Sequence, residues 1–460
     1  MSIAEANPLE SFQWERQPEA EALVRALVGA FLEKNQSAAA FAEKLSEEAG
    51  VRLVDLVDYL AVPATDAMRA RLDFAGFARD EAASGVEAFV HSGGIFPRIV
   101  LRDGSASELA IKVESVADFA AVHATQNQIE GPPLGLYRRL CVNTTSDTCF
   151  AVVERHGYRG FAVPPFDHEK AIARLAHLEA FRARRREFND DGAGFEHAVN
   201  LIDAAIADIG VHVTCDLFFA AEREYWQRRN RAAQVQKYRQ DKLGIGWANH
   251  DHHTYRSSRQ QFRNLIAVWE KLGLYCRERF YAGREAGWGA QVMEQPVTGI
   301  ITFNDVDLSP EELMGDFSHD GLAPRDNLGT VGLWCALHGE AFLQAGMHHL
   351  EGQFDFEGLR QQLARDAGVN TMKPFTDFTY LRQAFTEGER WAVSHARIER
   401  ALRAGYITEE QARQFREQGA IGSHLENLER NEGFKGFNQT GVSEIIAATD
   451  PRKQVRALHV

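Results

Sequence analysis

The run Asn249-His250-Asp251-His252-His253-Thr254-Tyr255-Arg256 sets three imidazoles and a carboxylate within four residues, with an arginine just beyond. Neutral imidazole and carboxylate are ligands that first-row divalent metals take, and a guanidinium grips a carboxylate in fixed orientation. A second histidine pair, His348-His349, follows downstream, and His395 and Glu399 offer further donors. Metal-centred chemistry on a small anion is the reading these types suggest. Ordinary structural uses stand beside it. Histidine also serves as a cap or a hydrogen-bonding core residue, Glu399 can pair with Arg397 or Arg400, and Arg256 can pair with Asp251.

The elements that must position these groups follow from the flanking pattern. Gly244 to His253 predicts a strand ending in the histidines. Ser257 and Gln260 make a capping-box spacing, and Phe262, Leu265, Ile266 and Trp269 recur at helical intervals until Gly273. Three β-like runs follow, residues 274–282, 289–295 and 297–306, giving the order βαβββ. A second copy opens with the strand-like Gln344-Ala345-Gly346-Met347-His348-His349-Leu350. It continues with a helix capped by Asp355, carrying Phe356, Leu359 and Leu363 and closed by Gly368. β-like runs are expected over 376–385 and 389–400. In the latter Trp391, Val393, His395, Arg397 and Glu399 share a face by the period of two. A helix over 409–418 and a short run near 442–447 finish the chain.

Two βαβββ units opening on histidine strands resemble the vicinal oxygen chelate architecture, in which paired modules form a half-open barrel around one metal. Within it, the motifs over roughly residues 245–447 resemble the 2-oxoadipate dioxygenase/decarboxylase family, the hydroxyglutarate synthases. By that resemblance the first metal histidine falls on His252, with Arg256 four residues on, and the second on His349, followed by Leu350. The metal glutamate falls on Glu399, ahead of Arg403, Gly405 and Thr408. The substrate loop falls on Phe437 to Ser443, so that Asn438, Gln439, Thr440 and Ser443 would line the substrate with Arg256. His250, His253, His348 and His395 stay open as rival ligands. The resemblance implies Fe(II), dioxygen and a 2-oxo acid, with oxidative decarboxylation and hydroxylation of a substrate such as 2-oxoadipate. Two imidazoles and one carboxylate leave positions open for a chelating acid and for dioxygen. A glyoxalase-type metal lyase or isomerase, and a non-catalytic binding protein of the same fold, are the alternatives.

The whole chain sets bounds on these readings. Its 460 residues, 45% hydrophobic, suffice for two or three cores. We expect a helical region over 1–84, an α/β module with helices over 85–240, and the paired βαβββ domain over 241–460, an α+β protein throughout. Its 51 Lys and Arg against 65 Asp and Glu, a net charge of −14, argue against nucleic acid as a partner. The run Arg182-Ala183-Arg184-Arg185-Arg186 reads as a solvated or ion-paired helix face. No apolar run is long enough to span a membrane and the first residues lack a signal pattern, so a cytoplasmic location is expected. Five cysteines without a C-x-x-C pair read as reduced core thiols. His156 reads as a hairpin histidine on a surface turn. Substrate choice or a homo-oligomer contact is left to the first 240 residues.

Overall fold

A computed structural model describes residues 13–83, 85–438 and 450–453. Its strands form two sheets. The first comprises β1 (Val57–Pro63), β2 (Ala78–Arg79), β3 (Glu87–Val90), β4 (Arg98–Arg102), β5 (Ser107–Lys112), β6 (Ile129–Glu130), β7 (Tyr137–Thr144) and β8 (Thr148–Arg155), in the order β2-β3-β4-β1-β5-β8-β7-β6. The second comprises β9 (His250–Arg256), β10 (Tyr275–Tyr281), β11 (Trp288–Glu294), β12 (Ile301–Asp307), β13 (His349–Gln353), β14 (Thr376–Phe378), β15 (Leu381–Phe385), β16 (Glu389–Trp391) and β17 (Ala420–Arg430). Its order is β10-β11-β12-β9-β13-β17-β15-β14, with β16 added on β17.

The two orders are the same. In each sheet the opening strand of a unit pairs in parallel with that unit's last strand: β1 with β4, β5 with β8, β9 with β12 and β13 with β17. Parallel pairing requires a crossover, and helices Asp66–Phe74, Val116–Val122, Phe262–Lys271 and Phe356–Ala367 lie in the four crossovers. Antiparallel contacts β1·β5 and β9·β13 join the units two by two. The chain therefore holds four βαβββ units in two half-open barrels of vicinal oxygen chelate type, not the single pair expected.

The boundary expected at residue 84 cuts through the first sheet, because β1 belongs with β4 and β5 beyond it. This pair escaped the sequence pattern for a physical reason. β1 is buried on both faces over Tyr59–Val62, so it shows no alternation, and β2 and β6 are two residues long. The N-terminal helices are as expected. In Gln36–Ala49 the Asn35 side chain accepts from the Ala38 amide, and Gly50, at φ 63°, closes the C-terminus. A Cβ at Gly50 would meet the Leu359 backbone at 2.9 Å, so this closing turn also sets how near the helix approaches the second sheet's crossover.

Two corrections bear on the site. Both histidine strands begin, rather than end, with their histidines, since β9 starts at His250 and β13 at His349. The strand expected over 389–400 stops at Trp391. Ser394 accepts from the Arg397 amide and opens a helix over His395–Arg403 that buries Ile398 and Ala401. The expected run near 442–447 lies outside the described residues.

Helices cover one face of each sheet. In the first, Leu60, Val62, Ile99, Leu109 and Ile111 join the main core on that side. The opposite face is a small apolar cluster of Tyr59, Ala61, Ala88, Val100, Ala110, Tyr137, Ala151 and Val153, with Tyr158 and Phe161 against it. The cysteines are free thiols, Cys141 and Cys149 facing each other across β7 and β8. No helix among the described residues is long and apolar enough to cross a membrane.

Candidate metal centre

On one face of the second sheet, period two aligns His252, Thr254 and Arg256 on β9 and His349 and Glu351 on β13. Glu426 on β17 stands opposite Glu351 in register. One oxygen of Glu351 lies 2.6 Å from Nε2 of both His252 and His349, and Glu426 Oε2 is 3.5 Å from His349 Nε2. Donor atoms of His252, Glu351 and Glu426 all fall within 4.8 Å of one another, a spacing that can hold a metal ion. All four side chains are buried, none more than 8% exposed.

Each imidazole has a partner behind it. His252 Nδ1 donates to Asp251 Oδ1 at 2.8 Å, which leaves Nε2 free as the ligand atom. Asp251 in turn accepts from Arg430 Nε and Nη2 at 3.0 and 3.1 Å and from Gln353 Nε2 at 2.8 Å. Burial alone would raise the Asp251 pKa, but the Arg430 guanidinium and the His252 bond outweigh it and hold the carboxyl well below the usual range. His349 Nδ1 faces His348 Nδ1 at 2.7 Å, so the doubled histidine is one imidazole turned by the other. Among the carboxylates, Glu351 accepts from Thr254 Oγ1 at 3.0 Å and Glu426 from Gln383 Nε2 at 2.8 Å.

The electrostatics fit a divalent cation. Burial pushes His252 down to about 4 and His349 well below its ordinary value, so both imidazoles are neutral, as ligands must be. Burial, then the neighbouring Glu426 charge, drives Glu351 well above the usual carboxylate range. Burial raises Glu426 to about 7. Two buried carboxyls side by side cannot both ionise without a compensating positive charge, which a bound divalent metal would supply.

The pocket over this cluster is lined by Phe280, Trp288, Phe303, Phe375, Phe385 and Phe437, and its free space of about 50 Å³ suits a few waters or a compact acid. Arg256 lies on its wall, 3% exposed. Among the described residues its guanidinium reaches Asp305 from Nε at 3.5 Å, at the limit of a hydrogen bond, and lies 5.7 Å from the Trp334 ring. Burial lowers the Arg256 pKa and lifts Asp305 to about 7. The guanidinium is thus loosely held beside the metal donors, where a substrate carboxylate would improve on its present partner.

The sequence-expected residues divide sharply. His252, His349 and Arg256 come together in one pocket, and Asn438 is on its wall. Glu399 does not join them. It lies on the helix His395–Arg403, with 34% of its side chain exposed, and pairs with Arg416 at 2.6 Å; His395 is 76% exposed beside it. The carboxylates at the cluster are Glu351 and Glu426. Of the rivals, His253 faces the opposite side, near Arg223 and the Ile301 carbonyl, and His250 lines a different cavity. Tyr255 packs against Trp269 on the helix side, and Trp391 lies under the Arg229 guanidinium. Gln439, Thr440 and Ser443 lie outside the described residues.

Glu351 was legible in principle, two residues after His349 and hence on the same strand face. Glu426 was hidden because β17 is buried on nearly every residue and shows no alternation. Elsewhere, Arg184 and Arg186 turn inward onto the buried Glu222, leaving Arg182 on exposed Glu224. His156 is bracketed by Glu154 and Asp216, each at 2.8 Å. Burial alone would lower its pKa, but the two carboxylates raise it to about 9.

No family model matches the chain, and no curated protein matches it. Among solved structures, it is similar to methylmalonyl-CoA epimerase from Mycobacterium tuberculosis (13% identity, 40% of this chain and 88% of that one, TM-score 0.23). It is also similar to a glyoxalase superfamily protein from Ralstonia eutropha JMP134 (12%, 58% and 97%, TM-score 0.31). A third is a triple mutant of 4-hydroxymandelate synthase from Streptomyces coelicolor (12%, 87% and 97%, TM-score 0.23). Likenesses this distant say nothing of substrate or reaction. The sheet order and the donor set are what characterise this chain: a vicinal oxygen chelate fold with, among the described residues, one buried cluster fit for a metal.

Proposed function

We propose that the chain is a mononuclear Fe(II)-dependent oxygenase acting on a small carboxylate, and that it oxidatively decarboxylates and hydroxylates a 2-oxo acid such as 2-oxoadipate. His252, His349 and Glu426 would hold the metal, with Glu351 beside them accepting from Thr254. One observation carries the reading: two neutral imidazoles and buried carboxylates converge beside a guanidinium with no tight partner. Fe(II) bound there would supply the reducing electrons for dioxygen and the coordination of the 2-oxo acid.

The chain's own residues do the rest. Arg256 binds the far carboxylate of the substrate and fixes its orientation. Asp251 keeps the His252 proton on Nδ1, and Gln383 aims the Glu426 carboxylate. The phenylalanines and Trp288 exclude water from the reacting atoms.

Oxygen uptake and CO2 release, followed together on the Fe(II)-loaded protein with a panel of 2-oxo acids including 2-oxoadipate, test the proposal. Coupled uptake and release are expected. One observation favours a second reading. Glu351 reaches both imidazoles and brings the donor set to four, which suits a non-oxidative lyase or isomerase of glyoxalase type. Turnover with Zn(II) or Ni(II) and no oxygen uptake would establish that reading instead.

A further inference from the structure

Between the two half-barrels lies a second cavity of about 550 Å³ that shares no lining residue with the metal pocket. Its wall carries eight Lys and Arg side chains against six Asp and Glu. Some of these cations also pair with acids off the wall, Arg52 with Glu429 and Arg159 with Asp80, but one cation stands apart.

Lys112, the last residue of β5, lines this cavity, and its side chain makes no hydrogen bond or ion pair with any described residue. The nearest carboxylates are already engaged. Asp58 is held by Arg155 at 2.8 Å and by Arg98 at 3.6 Å, and Asp216 by His156 at 2.8 Å. His250, also on the wall, has a buried Nδ1 without a partner among the described residues. The Lys112 ammonium faces the cavity with no acid of its own, so an anion entering there meets an uncommitted cation. Burial draws the Lys112 pKa down, with Asp216 and Asp58 only partly restoring it.

We propose that this cavity between the half-barrels is a binding site for a small organic dianion, a dicarboxylate or a phosphate monoester, anchored by Lys112. The volume is in the range of small-molecule sites, and beside Lys112 the one carboxylate Asp58 is shared among Arg155, Arg98 and Lys112, a local surplus of two cations that two negative charges would match. The site borders the metal centre without opening into it, because Asp251 and Arg430 line this cavity while Asp251 also holds His252.

The test is calorimetric titration of the full-length protein with glutarate and with inorganic phosphate, using wild type, Arg256→Met, Lys112→Met and Lys112→Arg. Arg256→Met silences carboxylate binding in the metal pocket and is expected to keep one saturable site per chain. Lys112→Met should weaken that site at least about tenfold, and Lys112→Arg should keep most of it. Preference for glutarate or for phosphate identifies the dianion as dicarboxylate or phosphate ester. No saturable binding of either probe, unchanged binding by Lys112→Met, or loss of all binding in Arg256→Met would overturn the proposal. A measurement on the wild type alone covers misfolding of the variants: acetylation of Lys112, read by peptide mass spectrometry, should slow at least about threefold with the bound probe, and an unchanged rate would also overturn it. None of these readouts depends on the oxygenase reaction, so the two readings fail separately.

Discussion

Replacing Asp251 by asparagine keeps the side chain's shape and removes its charge. Four contacts are touched: His252 Nδ1 at 2.8 Å, two Arg430 nitrogens at 3.0 and 3.1 Å, and Gln353 Nε2 at 2.8 Å. An amide can accept through only one oxygen, so either His252 loses its orienting acceptor or Arg430 meets an amide NH2. Loss of such a partner behind a metal histidine costs roughly 10- to 100-fold in metal affinity, about 1.4–2.7 kcal/mol. The same change strands the buried Arg430 guanidinium, which adds about 3–5 kcal/mol of global destabilisation. The double variant Asp251→Asn/Arg430→Met separates the two effects. Denaturant unfolding should show part of the stability restored in the double variant, while metal titration should show the affinity still reduced. Unchanged metal affinity in Asp251→Asn would refute the argument that the carboxylate sets the ligand face of His252.

Three further outcomes are expected. Glu426→Gln should lower metal stoichiometry on gel-filtered protein by well over about tenfold in affinity, whereas Glu399→Gln should leave it unchanged, because Glu399 serves only a surface ion pair; the reverse pattern would return the third ligand to Glu399. Arg256→Ala should raise the substrate KM about 10- to 100-fold, the worth of a charged hydrogen-bonded pair, with metal content intact by elemental analysis. Metal affinity should rise with pH through about 7, with proton release. Burial raises the folded Glu426 pKa to about 7, from an ordinary 4.5. By the same sign, its contribution to the stability of metal-free protein is present below 4.5 and lost as pH rises through 7. Calorimetry in buffers of different ionisation enthalpy, and unfolding of the chelated protein from pH 5 to 8, check both halves.

How far the site could be read in the chain depended on clustering. His252, Arg256 and His349 were visible because unusual residues sat close together in sequence at the head of βαβββ patterns. Glu426 reaches the site only through the parallel pairing of β17 with β13, a contact across more than seventy positions that no local pattern encodes. Glu399 attracted attention because Trp391, Val393 and His395 mimic alternation, yet the Ser394 cap and the spacing of Ile398 and Ala401 favour a helix. The second half-barrel announced itself through its polar interior. The first fills the equivalent face with Tyr59, Ala61, Ala110 and Ala151, residues that could belong to any core, so only its strand order reveals the duplication.

Arg430 ties two things that need not have been tied. Its guanidinium holds Asp251, and through it the first metal histidine, while also donating to the Phe434 and Gly436 carbonyls in the turn after β17. That turn brings the Phe437 ring to 4.9 Å from His252 and 5.2 Å from the guanidinium carbon. The cover over the pocket and the ligand beneath it thus hang from one pin. Loosening of this arginine would unseat both in the same event, so the pocket's exposure to water and the aim of His252 keep a common clock.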